Sequence, residues 1–209
     1  MEARTPEDRL RQQYFDLLPE IQRVVWQLEA EVRYHTLSIL HNLGTGEQLV
    51  VDSRVKECES ALEKLLRIKG LEGRRFDPDC AGEYSLLDLP DLAAVRVLVF
   101  PNRRLDEVDR TLRAHFQDWT AKPLKDRKHE VLAPRYFGYC KEVSGAVRAE
   151  YQVVPMLLGL FWRVEHPAMY KFRRVANSRQ MRRRRDEVEH VLAHFEQGIE
   201  PYILPRSGD

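Results

Sequence analysis

The run Val95-Arg96-Val97-Leu98-Val99-Phe100 constrains the fold more than any other segment. It is a nearly continuous β-branched and apolar stretch, and Pro101-Asn102 stops it. A strand of this kind is apolar on both faces, so it implies a sheet with other elements packed against each side.

The rest of the chain supplies those elements. Leu18, Ile21, Val25, Leu28 and Val32 recur at steps of three and four, a stripe that one helix face buries. Pro19 can open a helix but not sit inside one, so the pattern predicts a short helix over about 6–17 and a longer one to about Leu43. Gly44-Thr45-Gly46 ends it. Leu49-Val50-Val51 reads as strand, and Ala61, Leu62, Leu65 and Leu66 as helix over 57–69. Residues 70–85 read as loop. Leu105, Val108, Leu112 and Phe116 mark a helix, and the polar, basic stretch 117–130 another loop. Two strands follow, joined by a tight hairpin at Ser144-Gly145. Pro155 then opens a helix carrying Leu157, Leu158, Phe161 and Trp162. A final helix runs from near Lys171 to about 200 through Val188, Val191, Leu192 and Phe195, with the block Arg182–Arg185 at its basic end.

The expected fold class is α+β (mixed α/β), a small mixed β-sheet flanked by helices in one domain over residues 1–209. A hydrophobic share of 43% supports a real core, which excludes disorder throughout. No apolar run approaches the ~20 residues needed to cross a bilayer, and the charged start MEARTPEDRLRQQ is unlike a secretory signal. Cys58, Cys80 and Cys140 are odd in number and lack metal-ligand spacing, which points to a reducing cytoplasm.

Four segments concentrate chemistry. Arg54, Lys56, Ser60, Lys64 and Arg67 place cations and a hydroxyl near the start of a helix that follows a strand. This suits a polyphosphate cradle, although spacing alone favours a solvated basic face pairing with Glu57, Glu59 and Glu63. Asp91 stands at the mouth of the central strand, either as a Mg²⁺ ligand or as a turn aspartate after Pro90. In Ala133-Pro-Arg-Tyr-Phe-Gly-Tyr139 an aromatic side chain can stack on a base beside Arg135, or fill the core. Glu150 and Gln152 share one sheet face, with Tyr151 on the other. His190 and His194 are four apart on a helix, a metal pair without an evident third ligand. Gly-rich phosphate loops and the G-x-S-x-G nucleophile motif are absent from the sequence.

Taken in order, these segments resemble the synthetase domain of the RelA/SpoT family, the GTP pyrophosphokinases that make (p)ppGpp. The R-x-K…S…K signature resembles Arg54, Lys56, Ser60 and Lys64, and D-L-A-G-V-R resembles Asp91-Leu-Ala-Ala-Val-Arg96. P-K-x-x-G-Y resembles Pro134-Arg135-Tyr-Phe-Gly138-Tyr139, and E-I-Q resembles Glu150-Tyr151-Gln152. W…E-H…Y-K resembles Trp162, Glu165-His166 and Tyr170-Lys171, so the likeness spans about 45–172.

The resemblance implies a nucleotidyltransferase-like synthetase fold and Mg²⁺-dependent transfer of pyrophosphate from ATP to the ribose 3′-hydroxyl of GTP or GDP. It implies ATP-binding by Arg54, Lys56, Ser60, Lys64 and Arg67, Mg²⁺ on Asp91 and Glu150 with Glu150 as base, and acceptor contacts from Arg135, Tyr139 and Gln152. The small family members often form homo-oligomers, and the stripe through Val25, Leu28 and Val32 is a candidate surface for one. The departures fall on the acceptor side. Cys140-Lys141-Glu142-Val143 stands where the family reads R-S-x-H, and Val153-Val154-Pro155 where it carries an arginine and a threonine. The glycine of D-L-A-G-V-R is Ala94. This asymmetry leaves two alternatives: another acceptor, such as a tRNA 3′ end met by Arg173-Arg174 and Arg182–Arg185, or a catalytically silent nucleotide-binding protein.

Overall fold

A computed structural model describes residues 5–71, 74–125, 129–171 and 179–203 of the protein. Within the two C-terminal helices, only the backbone is described over 166–171 and 179–182 and at 193, 196, 197, 199 and 203.

Helix α1 runs unbroken from Pro6 to His41. Thr5 caps it: its hydroxyl accepts from the Asp8 N–H at 3.2 Å, while the Asp8 carboxylate accepts from the Thr5 N–H at 3.3 Å. The expected break at Pro19 does not occur. Pro19 lies on the exposed side of the helix, so the hydrogen bond it cannot donate leaves a carbonyl facing water rather than the core. On the opposite side Leu10, Tyr14, Ile21, Val25, Leu28, Val32 and Ile39 stay in register and buried. Tertiary packing along that stripe overrides the local preference. The stripe through Val25, Leu28 and Val32 is thus spent on this chain's own core.

Strand β1 (Gln48–Val55) pairs antiparallel with β2 (Ala93–Phe100), the expected central strand. Between them lie α2 (Cys58–Ile68) and a turn-rich segment that buries Phe76 and Tyr84. Helix α3 (Leu105–His115) follows. The stretch read as loop after it contains β3 (Thr120–Ala121) and β4 (Leu124–Lys125), the latter paired with β5 (Val131–Ala133). Strands β6 (Arg135–Tyr139) and β7 (Arg148–Pro155) are antiparallel, but the connection spans 140–147 instead of turning tightly at Ser144-Gly145. Cys140 is buried and its carbonyl accepts from both Val143 and Ser144 N–H at 2.9 Å, so the chain folds a compact turn of its own before the next strand. Helix α4 (Met156–Lys171) and helix α5 (Arg179–Ile203) complete the described fold.

The sheet order is β1-β2-β7-β6-β3, with β2 and β7 parallel and the other pairs antiparallel. Its two faces differ. Val51, Val95, Val97, Val99, Ala149, Tyr151 and Val153 join α1, α2 and α3 in the main core. On the second face Leu98 and Val154 form a smaller apolar cluster with Ala133 and with Met156 and Leu158 of α4. The remainder of that face carries Asp52, Arg54, Arg96, Glu150, Gln152, Arg135 and Phe137, which strand alternation and register place together.

An aromatic cluster fixes β6 against the core. Tyr136 stacks on Tyr151 at 4.7 Å, and Trp119 sits 4.9 Å from Phe116 and 5.4 Å from Tyr151. The Trp119 indole lies flat on Gly138, where an added Cβ would fall 2.5 Å from the ring. Trp119 also packs on Phe116 and Tyr151, so Gly138→Ala is expected to cost about 1–3 kcal/mol as the ring gives way. Urea unfolding checks this as a lower midpoint at unchanged slope.

Candidate active site

Asp91 and Glu150 are far apart in sequence, yet the fold brings them to one end of the open sheet face. Asp91 ends the turn before β2, and the Lys56 N–H carries the β1–β2 ladder to the residue next to it by donating to the Leu92 carbonyl at 2.9 Å. Glu150 enters from β7, the parallel neighbour of β2, opposite Ala94. Parallel pairing places both strand starts at the same edge. The two acids are 4% and 2% exposed, so water screens neither charge effectively.

Two ammonium groups converge on a single oxygen of Asp91. Lys64 Nζ donates to Oδ2 at 2.6 Å, and Lys56 Nζ lies 3.1 Å from the same atom. Burial alone would raise the Asp91 carboxyl, but these two cations outweigh it and hold the group below its ordinary value. Lys64 itself also sits below its ordinary value. Burial lowers it most; the attraction of Asp91 opposes this without cancelling it, and repulsion from Lys56 adds a smaller lowering. Two cations on one carboxylate oxygen leave positive charge available to an anionic ligand. The other oxygen, Oδ1, is buried without a hydrogen-bond partner among the described residues.

Glu150 is pushed upward, chiefly by burial and then by the Asp91 charge. Gln152 donates from Nε2 to Glu150 Oε1, and its own Oε1 accepts from Arg96 Nε at 3.1 Å. The Arg96 guanidinium, 5.6 Å above the Trp162 ring, is lowered to about 10 by burial and by neighbouring Arg54. A shallow depression of about 20 Å³ lies here among Asp52, Arg54, Ala94, Arg96 and Gln152. Arg135 faces the ring of Phe137 at 5.0 Å, and its charge tempers the rise of Glu150.

The sequence-predicted residues therefore fall into two sets. Asp91, Glu150, Lys56, Lys64, Gln152, Arg54 and Arg135 are gathered on one face. Ser60 and Arg67 lie along α2, the latter exposed in its last turn. Tyr139, 39% exposed with Arg148 5.8 Å from its ring, ends β6 and also borders a cleft of about 540 Å³ lined by Gln27, Glu31, His115, Trp119 and Lys141. Arg96 entered the sequence reading only as the end of the Asp91–Arg96 segment, without a role, and Arg148 not at all. Extending the period-two alternation from Glu150 to Arg148 would have found the latter.

The divergent positions have structural roles. Val154 is core beneath α4, Val143 packs on the main core, and Lys141 pairs with Asp118 at 2.6 Å. Among the basic residues of α5, Arg183 pairs with Glu187, and Arg185 with Asp186 and Glu189. Arg173 and Arg174 lie outside the described residues, as do the side chains of His166, Tyr170, Lys171 and Arg182. Among the described residues no helix is long and apolar enough to cross a membrane.

No protein-family model matches the chain, and a search of curated proteins finds no sequence match. Solved structures do match. Small alarmone synthetase 1 from Bacillus subtilis bound to its product pppGpp superposes with TM-score 0.65 at 17% identity, over 91% of this chain and 96% of that one. The same enzyme bound to AMPCPP gives 0.61 at 18%, over 91% and 95%. A GTP pyrophosphokinase family protein from Streptococcus pneumoniae gives 0.62 at 18%, over 91% and 92%. Identity this low speaks for architecture alone, and the chain has the fold of the small alarmone synthetases.

Proposed function

We propose that the protein is a RelA/SpoT-type pyrophosphotransferase, moving the β,γ-pyrophosphate of ATP to the ribose 3′-hydroxyl of GTP or GDP. The observation that carries the reading is the buried pair Asp91–Glu150 beneath a rim of Lys56, Lys64, Arg54, Arg96 and Arg135. Phosphoryl-type transfer needs charge neutralisation and in-line placement more than covalent catalysis, and this arrangement suits both demands. The neighbours whose structures hold AMPCPP and pppGpp support nucleotides of this kind as ligands.

The residues fit Mg²⁺. Asp91 Oδ1 is an orphaned buried acceptor, and the repulsion Asp91 exerts on Glu150 is the charge pattern a hard dication relieves. Asp91 and Glu150 would hold the ion, which when bound would offset polyphosphate charge. Lys56, Lys64 and Arg54 bind the donor phosphates. Glu150 accepts the proton of the 3′-hydroxyl as that oxygen bonds to the β-phosphorus, the bond to the α–β bridging oxygen breaks, and AMP leaves. Its raised proton affinity makes it a stronger base than an ordinary glutamate. Tyr139 and Arg135 meet the acceptor.

The test is incubation with γ-labelled ATP, Mg²⁺ and each nucleotide acceptor. Label moving onto GTP or GDP with equimolar AMP supports the reading. AMP without acceptor modification, or no turnover, overturns it; no turnover with nucleotide binding retained favours a silent nucleotide-binding protein, and label on tRNA would reassign the acceptor. The donor cations are in place, whereas Lys141, Val143 and Val154 are engaged elsewhere. We therefore expect calorimetry to show binding of a non-hydrolysable ATP analogue and less than about tenfold preference for GDP over ADP at the acceptor site. A site without polar partners for the base discriminates poorly. Tight GDP binding with no ATP-analogue binding would contradict this split.

A further inference from the structure

The sequence sets His190 and His194 one turn apart on α5, and the fold adds a third donor from a distant segment. Glu130, the residue preceding β5, reaches the same spot: one ligand-capable atom from each of Glu130, His190 and His194 lies within 4.8 Å of the others. The two imidazole centroids are 4.2 Å apart. His194 Nδ1 lies 2.7 Å from the His190 carbonyl oxygen, which can only accept. The proton is therefore on Nδ1 and the Nε2 lone pair is left for a ligand. An imidazole tethered through one nitrogen so that the other can bind is the usual second-sphere arrangement at metal-bound histidines.

We propose that Glu130, His190 and His194 form a site for a borderline transition-metal dication, Zn²⁺ foremost, that clips α5 to the β4–β5 ribbon. Two imidazoles and one carboxylate match the donor preference of Zn²⁺ and its neighbours, while Mg²⁺ prefers oxygen throughout. This separates the site chemically from the all-oxygen pair Asp91–Glu150. Tetrahedral bonds of about 2.0–2.1 Å set ligand atoms roughly 3.3 Å apart, so the trio needs only side-chain adjustment to close on an ion. Glu130 and His194 are exposed and His190 half-buried, which lets the ion enter and a water complete its shell. The clip joins segments that the sequence separates widely, so a bound ion would stabilise the folded chain over the unfolded one.

The experiment uses full-length protein without an oligohistidine tag. Co²⁺ is titrated and followed by visible absorption, and Zn²⁺ by calorimetry in excess Mg²⁺, with thermal melting in Zn²⁺ and in chelator. The expected result is one equivalent of ion, intense bands of four-coordinate Co²⁺, no displacement by Mg²⁺ and a higher Tm in Zn²⁺. His190→Ala and His194→Ala should each weaken binding by more than the roughly 10- to 100-fold that losing an outer hydrogen-bond partner costs a metal site. Glu130→Gln should weaken it too. All three should melt like the parent protein in chelator. His35 and His115, stacked at 3.6 Å with Glu31 3.2 Å from His115 Nε2, form the competing imidazole pair. Binding that survives His190→Ala but falls in His115→Gln would overturn the proposal, as would no binding at micromolar ion.

Discussion

Asp91→Asn is expected to lower pyrophosphate transfer by on the order of 10²–10³-fold, the scale set by losing one preorganised electrostatic contact. The amide keeps the shape of the carboxylate but not its charge. Lys56 and Lys64 then face each other without their shared anion, and the candidate metal site loses its Oδ1 donor. Fold should largely survive, because both lysine side chains retain some solvent access, 12% and 20%, and can turn outward. The dependence on pH has a definite sign. Asp91 has a folded value below its ordinary one, so the stability it contributes is present above the ordinary aspartate range and is lost as pH falls through the depressed value. Asp91→Asn should therefore flatten the acid side of the stability profile. Urea midpoints measured from pH 6 downward check it, and an unaltered profile would remove Asp91 from the charge network.

Glu150→Gln should do the reverse to stability while removing activity. Glu150 sits above its ordinary value, so at neutral pH its ionised form is a burden on the folded state, one that grows as pH rises from the ordinary glutamate range through the raised value. A neutral glutamine removes both the burial cost and the repulsion from Asp91, and still accepts the Gln152 amide at Oε1. The variant is expected to melt higher, by about 2–4 °C for each kcal/mol relieved. Transfer should fall by roughly 10²–10⁴-fold through loss of the base. An active Glu150→Gln, or one that melts lower, would displace Glu150 from its proposed role.

Local patterns made part of this site legible in the sequence. The strand at Val95–Phe100 was readable because its apolar run needs no partner to be recognised, and Glu150 and Gln152 could be put on one face by alternation alone. The meeting of Asp91 with Glu150 had no local signal. It depends on β2 and β7 being parallel neighbours, which the chain reaches only through a long excursion, and only the family resemblance anticipated it. Pro19 misled for the opposite reason: its local rule is sound, but the buried stripe from Leu10 to Ile39 holds the helix together across it. Ser144-Gly145 looked like a hairpin because turn chemistry is local, whereas the burial of Cys140 that lengthens the connection is not. Glu130 illustrates the same limit, since no spacing rule links it to His190 and His194.

The order of strands in the sheet also governs when this site can exist during synthesis. Strand β7 is the central strand of β1-β2-β7-β6-β3, yet it is the last of them to leave the ribosome. Until it emerges, β2 presents a long apolar edge whose only pairing is with β1, the kind of open template that recruits other chains. Glu150, Gln152 and Arg148 all arrive on β7, so a nascent chain can hold Asp91, Lys56 and Lys64 without the other half of the proposed site. Such non-local closure slows folding. It also means that premature termination before residue 148 would yield an aggregation-prone fragment that lacks half of the proposed site.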